Sequence, residues 1–302
     1  MVLILRRKWL LWPLLISTLV FIAIWISGSL LIQPVMRPIG SSPSNLPAQS
    51  VVIRDVAGYP IHGWFVPGIE HNGGVLLLHG VRTNRLSMID RARFLHDAGY
   101  AVLLVDFQAS GESPGEAITF GYREADDVKA ALRYLHLRLP GERIGIIGTS
   151  MGGAAILLAE PDVDADAVVL EQVYPTIQQA LRNRMRIHLG VMGAWLSPVM
   201  LATLHAHLGI YPEQLRPIDH IGGLAMPKLL IVGERDRHTT LAESLSLFDA
   251  AKTPKALWIV HGAEHVDLCR YAGDAYKARV LHFLDAHLHK PPSSMQPFAG
   301  NL

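Results

Sequence analysis

A single cysteine, Cys269, stands in a chain of 302 residues. One thiol closes no intrachain disulfide and supplies no Cys-rich metal site, so Cys269 is expected as a small buried hydrophobe. Charge of either sign is equally sparse. The 27 Lys and Arg balance 26 Asp and Glu to a formal net charge of +1. Nothing in that balance points to nucleic acid or another polyanion as a partner. No internal repeat is visible either. What the chain has in plenty is apolar residues, 50% of the total. At this length they suffice for one large α/β domain with attachments, or for two small domains.

Part of the apolar surplus is local. Arg6, Arg7 and Lys8 precede an uncharged run over residues 10–32. Its roughly 23 residues reach about 35 Å as a helix, enough for a hydrocarbon core of about 30 Å. Its Leu, Ile, Val and Phe residues contribute on the order of −4 to −8 kcal/mol of gross insertion energy. Residues 1–32 are therefore expected as a cytoplasmic tip and transmembrane signal anchor, with Trp9 and Trp12 suited to an interfacial belt. Only Arg37 follows closely, so the N-terminus is expected in the cytoplasm and the rest of the chain outside it. A bacterial inner membrane, with the domain facing the periplasm or exterior, fits best. The rival is a cleaved signal peptide with Ser27 and Ser29 as the small residues before the cut, although the apolar run exceeds the usual length and no Ala-x-Ala is present. Residues 33–50 carry Pro34, Pro38, Pro43 and Pro47 among serines and read as an extended spacer. Residues 291–302 read as a loose tail.

Between these ends short apolar runs alternate with helical patterns. Strands are expected at 51–54, 61–66, 75–78, 101–105, 144–147, 167–170, 228–232 and 256–260. Helices are expected at 86–98, 122–137, 151–159, 241–251 and 274–289. The first two strands have no helix between them and should form a hairpin. The remainder is β-α-β, which implies an α/β domain over 51–290, with a mostly parallel, twisted eight-stranded sheet and helices on both faces. Ligands in such sheets bind beyond the carboxyl ends of the strands. Residues 174–217 break the alternation with a long apolar helical stretch, placed where a helical cap over a site is expected.

The run Ile144-Gly145-Ile146-Ile147 leads into Gly148-Thr149-Ser150-Met151-Gly152. Gly-x-Ser-x-Gly between a buried strand and a helix is the sharp turn that lifts a nucleophilic serine above a sheet. A serine hydroxyl needs a base to take its proton and a carboxylate to orient that base. Both should sit just past strand ends. Asp236 follows the strand at 228–232, and His265 follows the strand at 256–260. His261 lies too near its strand, while Glu234 and Asp267 are reserve candidates for the acid. Two backbone N–H donors are needed for the oxyanion. Met151, directly after the serine, and Val81, in the loop after the third strand, are expected to supply them. His79 is expected to brace that loop. Arg82 and Arg85 follow in the same loop, and either is a candidate for binding an anionic group of the substrate.

These residues together resemble the α/β-hydrolase-fold serine hydrolases, and among them the membrane-anchored α/β-hydrolase-domain proteins. The matching segments are Leu78-His79-Gly80, Asp106 with Ser110-Gly111-Glu112-Ser113, Gly148-Thr149-Ser150-Met151-Gly152-Gly153, Gly233 with Asp236, and Gly262-Ala263-Glu264-His265. The similarity runs over residues 51–288. It implies the α/β-hydrolase fold and acyl transfer to water by an esterase, lipase, thioesterase or amidase, without metal or organic cofactor. Residues 106–111 depart from the family pattern by lacking its arginine and first glycine. The expected substrate is a small-molecule or lipid acyl compound, and the expected membrane contact is the N-terminal helix. A serine peptidase or amidase of the same fold, or a non-catalytic binding module, are the alternatives. Oligomeric state is left open.

Overall fold

The computed structural model describes residues 2–289, and the side chains of 12–289. The tail expected at 291–302 lies outside the described residues.

Eight strands form one sheet: β1 Gln49–Arg54, β2 Pro60–Val66, β3 Gly74–Leu78, β4 Ala101–Val105, β5 Ile144–Thr149, β6 Ala167–Glu171, β7 Lys228–Gly233 and β8 Lys255–Val260. Their spatial order is β8-β7-β6-β5-β3-β4-β2-β1. The expected hairpin is present, with Ile53 opposite Ile61 in an antiparallel ladder. β2 also runs antiparallel to β4, and all other pairs are parallel. Every residue of β3, β4 and β6 is buried, because helices cover both faces of the sheet. The period-two alternation divides the core. Leu76, Leu78, Ile146 and Leu170 pack on one face, while Leu77, Ile147, Val169 and Ile231 pack on the other.

The helix expected at 86–98 is a 3₁₀ turn, Arg85–Met88, followed by Ile89–Asp97. Asn84 opens that turn by accepting the Leu86 N–H at 3.1 Å. Helices Glu124–Arg138, Met151–Leu158, Leu241–Ala250 and Asp274–Leu288 fall where the pattern places them. Between β6 and β7 runs Ile177–Leu208, bent at Gly190, whose φ of 63° and ψ of −149° leave helical space. The bend makes a hairpin of two helical limbs, with Leu181 and Met185 of the first in one apolar cluster with Met200 and Leu204 of the second.

The N-terminal helix spans Val2–Ile32. Its segment Trp12–Ile32 is long and apolar enough to cross a membrane, and so is the cap helix Ile177–Leu208. From Trp12 to Ala23 the N-terminal helix is exposed on all sides, and only then does it meet the domain. Ile24 is buried against the cap, and a Cβ on Gly28 would lie 2.5 Å from Thr203 Oγ1. The segment read as a spacer is extended and lies along the domain. Val35–Met36 pairs with Ser110–Gly111, the Ile39 N–H donates to Glu112 Oε1 at 3.0 Å, and Leu46 is buried. Its apolar side chains have a surface to cover, which proline content alone does not reveal.

Candidate active site

Ser150 sits between β5 and the helix Met151–Leu158 with φ 51° and ψ −112°. Such a conformation costs a non-glycine residue about 1–3 kcal/mol and persists only where its surroundings enforce it. Two glycines let the turn close. A Cβ on Gly152 would lie 2.5 Å from the Leu78 carbonyl oxygen, and one on Gly148 would lie 2.6 Å from the Gly153 nitrogen. The Ser150 N–H donates to the Glu171 carbonyl at 2.7 Å, tying the turn to β6. Behind it the Glu171 carboxylate is fully buried and paired with Arg91, whose Nη2 lies 2.6 Å away. Thr149 Oγ1 and the Tyr276 hydroxyl also donate to it.

Asp236 and His265 come together after β7 and β8. Asp236 Oδ1 accepts the N–H groups of His238 and Thr239 at 2.7 and 2.9 Å. Its Oδ2 takes His265 Nδ1 at 2.7 Å and Gln172 Nε2 at 3.1 Å. An ionised carboxylate only accepts, so the His265 proton sits on Nδ1 and Nε2 is left as the basic nitrogen. His265 and Ser150 line the same cavity. Gln172 also donates to the Glu264 carbonyl at 2.7 Å, which joins the loop carrying the imidazole to the acid. His238 lies 5.1 Å from His265, ring centre to ring centre. Burial, and then the neighbouring His265, lower the His238 pKa, which favours its neutral form.

Val81 and Met151 line the cavity beside Ser150. Met151 opens its helix, so its N–H is among the first-turn donors that a helix leaves without an internal partner. His79 Nε2 accepts the Phe107 N–H at 3.0 Å, which places the ring proton on Nδ1, 2.8 Å from the Gly80 carbonyl oxygen. Burial lowers the His79 pKa to about 4, and the neutral ring braces the loop that carries Val81. The cavity is otherwise apolar: Leu31, Phe120, Ile177, Leu181 and Leu204 form much of its wall. Arg184 is its one cationic lining residue, and no carboxylate lines it among the described residues.

The two loop arginines separate. Arg85 is not at the mouth: it is 2% exposed and paired with Asp106 and Glu112, its guanidinium 4.5 Å from the Trp64 ring centre. Burial between two carboxylates and an indole removes it from any substrate. Arg82 is exposed, but its Nη1 donates to the Leu30 carbonyl at 3.0 Å, holding the end of the N-terminal helix. Glu234 pairs with His261 at 2.8 Å, and Asp267 pairs with Arg91 at 2.9 Å. Neither of these carboxylates is hydrogen-bonded to His265. Ala109, where the resembling family carries glycine, holds φ 60°, so the departure in that loop is met by a strained alanine. Sequence reasoning missed Gln172 and His238, although each follows a strand end as Asp236 does. Among the described residues no three His, Cys, Asp or Glu side chains group as metal ligands.

A parallel sheet flanked by an antiparallel hairpin, a strained serine after β5 and an acid–histidine pair after β7 and β8 define an α/β-hydrolase-fold protein. Residues 69–203 match the family model described as serine aminopeptidase, S33, a stretch that includes Ser150 and ends before Asp236 and His265. The chain is 26% identical over 238 residues to the uncharacterized protein YqkD of Bacillus subtilis, covering 78% of each. It is 29% identical over 259 residues to the uncharacterized protein Rv2307c of Mycobacterium tuberculosis, covering 84% of this chain and 85% of that one. Among solved structures, the Pyrococcus furiosus esterase Pf2001 superposes with a TM-score of 0.71 at 23% identity, over 85% of this chain and 98% of that one. The α/β hydrolase GrgF from a Penicillium species superposes at 0.64 with 20% identity, over 80% and 99%. The chain accordingly has the α/β-hydrolase fold.

Proposed function

We propose that this protein is a membrane-anchored serine hydrolase that cleaves a carboxylic ester or thioester through an acyl-enzyme on Ser150. Ser150 Oγ attacks the carbonyl carbon while His265 Nε2 takes its proton. The negative oxygen that forms accepts hydrogen bonds from the N–H groups of Val81 and Met151. As the carbonyl re-forms, the bond to the leaving group breaks and His265 returns the proton to the departing alcohol or thiol. Water then attacks the acyl-enzyme with the same proton relay, releasing the acid and restoring Ser150. Asp236 fixes the tautomer and stabilises the charged imidazole throughout. The N-terminal helix is the anchor, with the domain on the non-cytoplasmic side.

The observation that carries this reading is one cavity holding Ser150 and His265, with Asp236 on the far nitrogen of the imidazole. An ester fits the remaining walls better than a peptide with a free amino end. An aminopeptidase must hold an ammonium group, and Arg184 with apolar neighbours is the wrong surroundings for a second cation. Hydrolysis of p-nitrophenyl esters by the full chain, abolished in Ser150→Ala, tests the proposal. A correctly folded wild type that cleaves neither esters nor thioesters would overturn it and leave a peptidase or amidase, or a binding module.

A further inference from the structure

The N-terminal helix does more than precede the domain. Leu31, in its last turn, lines the same cavity as Ser150 and His265. That turn is fastened on three sides. The Ile118 N–H donates to the Ile32 carbonyl at 2.8 Å, Arg82 Nη1 takes the Leu30 carbonyl at 3.0 Å, and Gly28 lies against Thr203. One turn further back, the rings of Trp25 and His207 are 4.3 Å apart. These contacts join the helix to the second limb of the cap over two turns. Leu31 is thus held against the cavity by the contacts of the residues on either side of it.

The apolar path does not end at Leu31. Leu31 and Ile32 pack on the cluster of Ile24, Leu181, Met185, Met200 and Leu204, which fills the seam between the N-terminal helix and the cap. Leu181 and Leu204 belong to both the cavity wall and this seam. The wall is therefore built from the domain and its cap, with Leu31 contributed by the N-terminal helix. A chain of methylenes leaving the reacting carbonyl toward Leu31 exchanges water for aliphatic side chains at every step.

We propose that the last turn of the N-terminal helix forms the distal wall of an acyl site, with Leu31 setting the chain length, so that the substrate is an ester of a medium or long aliphatic acid. This rests on the serine-hydrolase reading of the same cavity. It also makes the helix part of the working enzyme. Cleavage just past Ser29 would strip the Gly28 and Trp25 contacts and release the wall.

The test uses the full-length protein in lipid nanodiscs with p-nitrophenyl esters of graded acyl length. A buried methylene is worth about fourfold in kcat/KM, so the wild type is expected to climb by that factor with each carbon until the site is full. Leu31→Trp shortens the site. Its ratio of octanoyl to acetyl ester kcat/KM is expected to fall about 100-fold, as three or four displaced methylenes require. Gly28→Leu, which wedges the helix from Thr203 without touching the cavity, is expected to flatten the same climb. The inference is overturned if Ser150-dependent cleavage is intact but both variants keep the wild-type length profile, or if the wild type shows no preference for longer chains. Loss of all ester cleavage in the wild type would sink the serine-hydrolase reading instead, and the two failures are thereby distinct.

Discussion

The backbone N–H of Ser150 donates to the carbonyl oxygen of Glu171, 2.7 Å away on the neighbouring strand. The same Glu171 turns its carboxylate inward to Arg91, both side chains being essentially fully buried. The strained turn is therefore fixed by its main chain to a residue that a buried ion pair fixes in turn. Removing one member of such a pair strands a charge away from water and costs about 3–5 kcal/mol. Arg91→Met is expected to lower unfolding free energy by about that amount in urea titration. Turnover of the surviving folded enzyme should also fall, since Ser150 loses its support.

Asp236→Asn separates orientation from bulk. The amide oxygen can still accept the His238 and Thr239 N–H groups, but its NH₂ group cannot accept from His265 Nδ1. The imidazole then adopts the other tautomer, with Nε2 carrying a proton and unable to act as base. We expect kcat to drop on the order of 10⁴-fold with the thermal midpoint nearly unchanged. Steady-state kinetics alongside calorimetry reads both.

Arg85→Met addresses the buried arginine. Because Arg85 neutralises Asp106 and Glu112, its loss is expected to reduce stability by about 3–5 kcal/mol. The ratio of kcat/KM for anionic over neutral esters should stay at its wild-type value. A selective loss of the anionic substrate would return Arg85 to the binding site.

His79 makes stability depend on pH in a defined window. Its folded pKa is about 4 against an ordinary 6.5. Between those values the unfolded chain binds a proton that the folded chain refuses, so stability is full above the upper value and declines as pH falls toward the lower. Burial raises the carboxyls of Glu124 and Asp127, which act in the opposite direction, so the wild type must be compared with His79→Gln. From pH 7 to pH 5 the wild type is expected to lose about 2 kcal/mol more than the variant in urea titrations.

Much of this was legible in the sequence because each element obeys a local rule. β4 is a run of five apolar residues and is found at its expected bounds. Ser150, Asp236 and His265 each follow a strand, and strand ends are where such sheets gather ligands. Other features depend on partners that no local pattern names. Whether Arg85 faces water is decided by Asp106 and Glu112, 21 and 27 residues further along. Gln172 draws its meaning from Asp236, 64 residues away. An apolar helix likewise reads the same whether lipid or protein covers it, so the seating of Ile24 and Gly28 on the cap was invisible. The helical stretch expected over 174–217 turns back on itself at Gly190, a glycine that reads like Gly193 until its φ is known.

The most direct measurement is covalent capture by a fluorophosphonate, followed by peptide mass spectrometry. The phosphonyl group should attach to Ser150 at close to one equivalent per wild-type chain, with no attachment in Ser150→Ala and a rate reduced at least about 10³-fold in His265→Ala. A folded wild type that stays unmodified, or is modified at another residue while Ser150 remains free, would contradict the account.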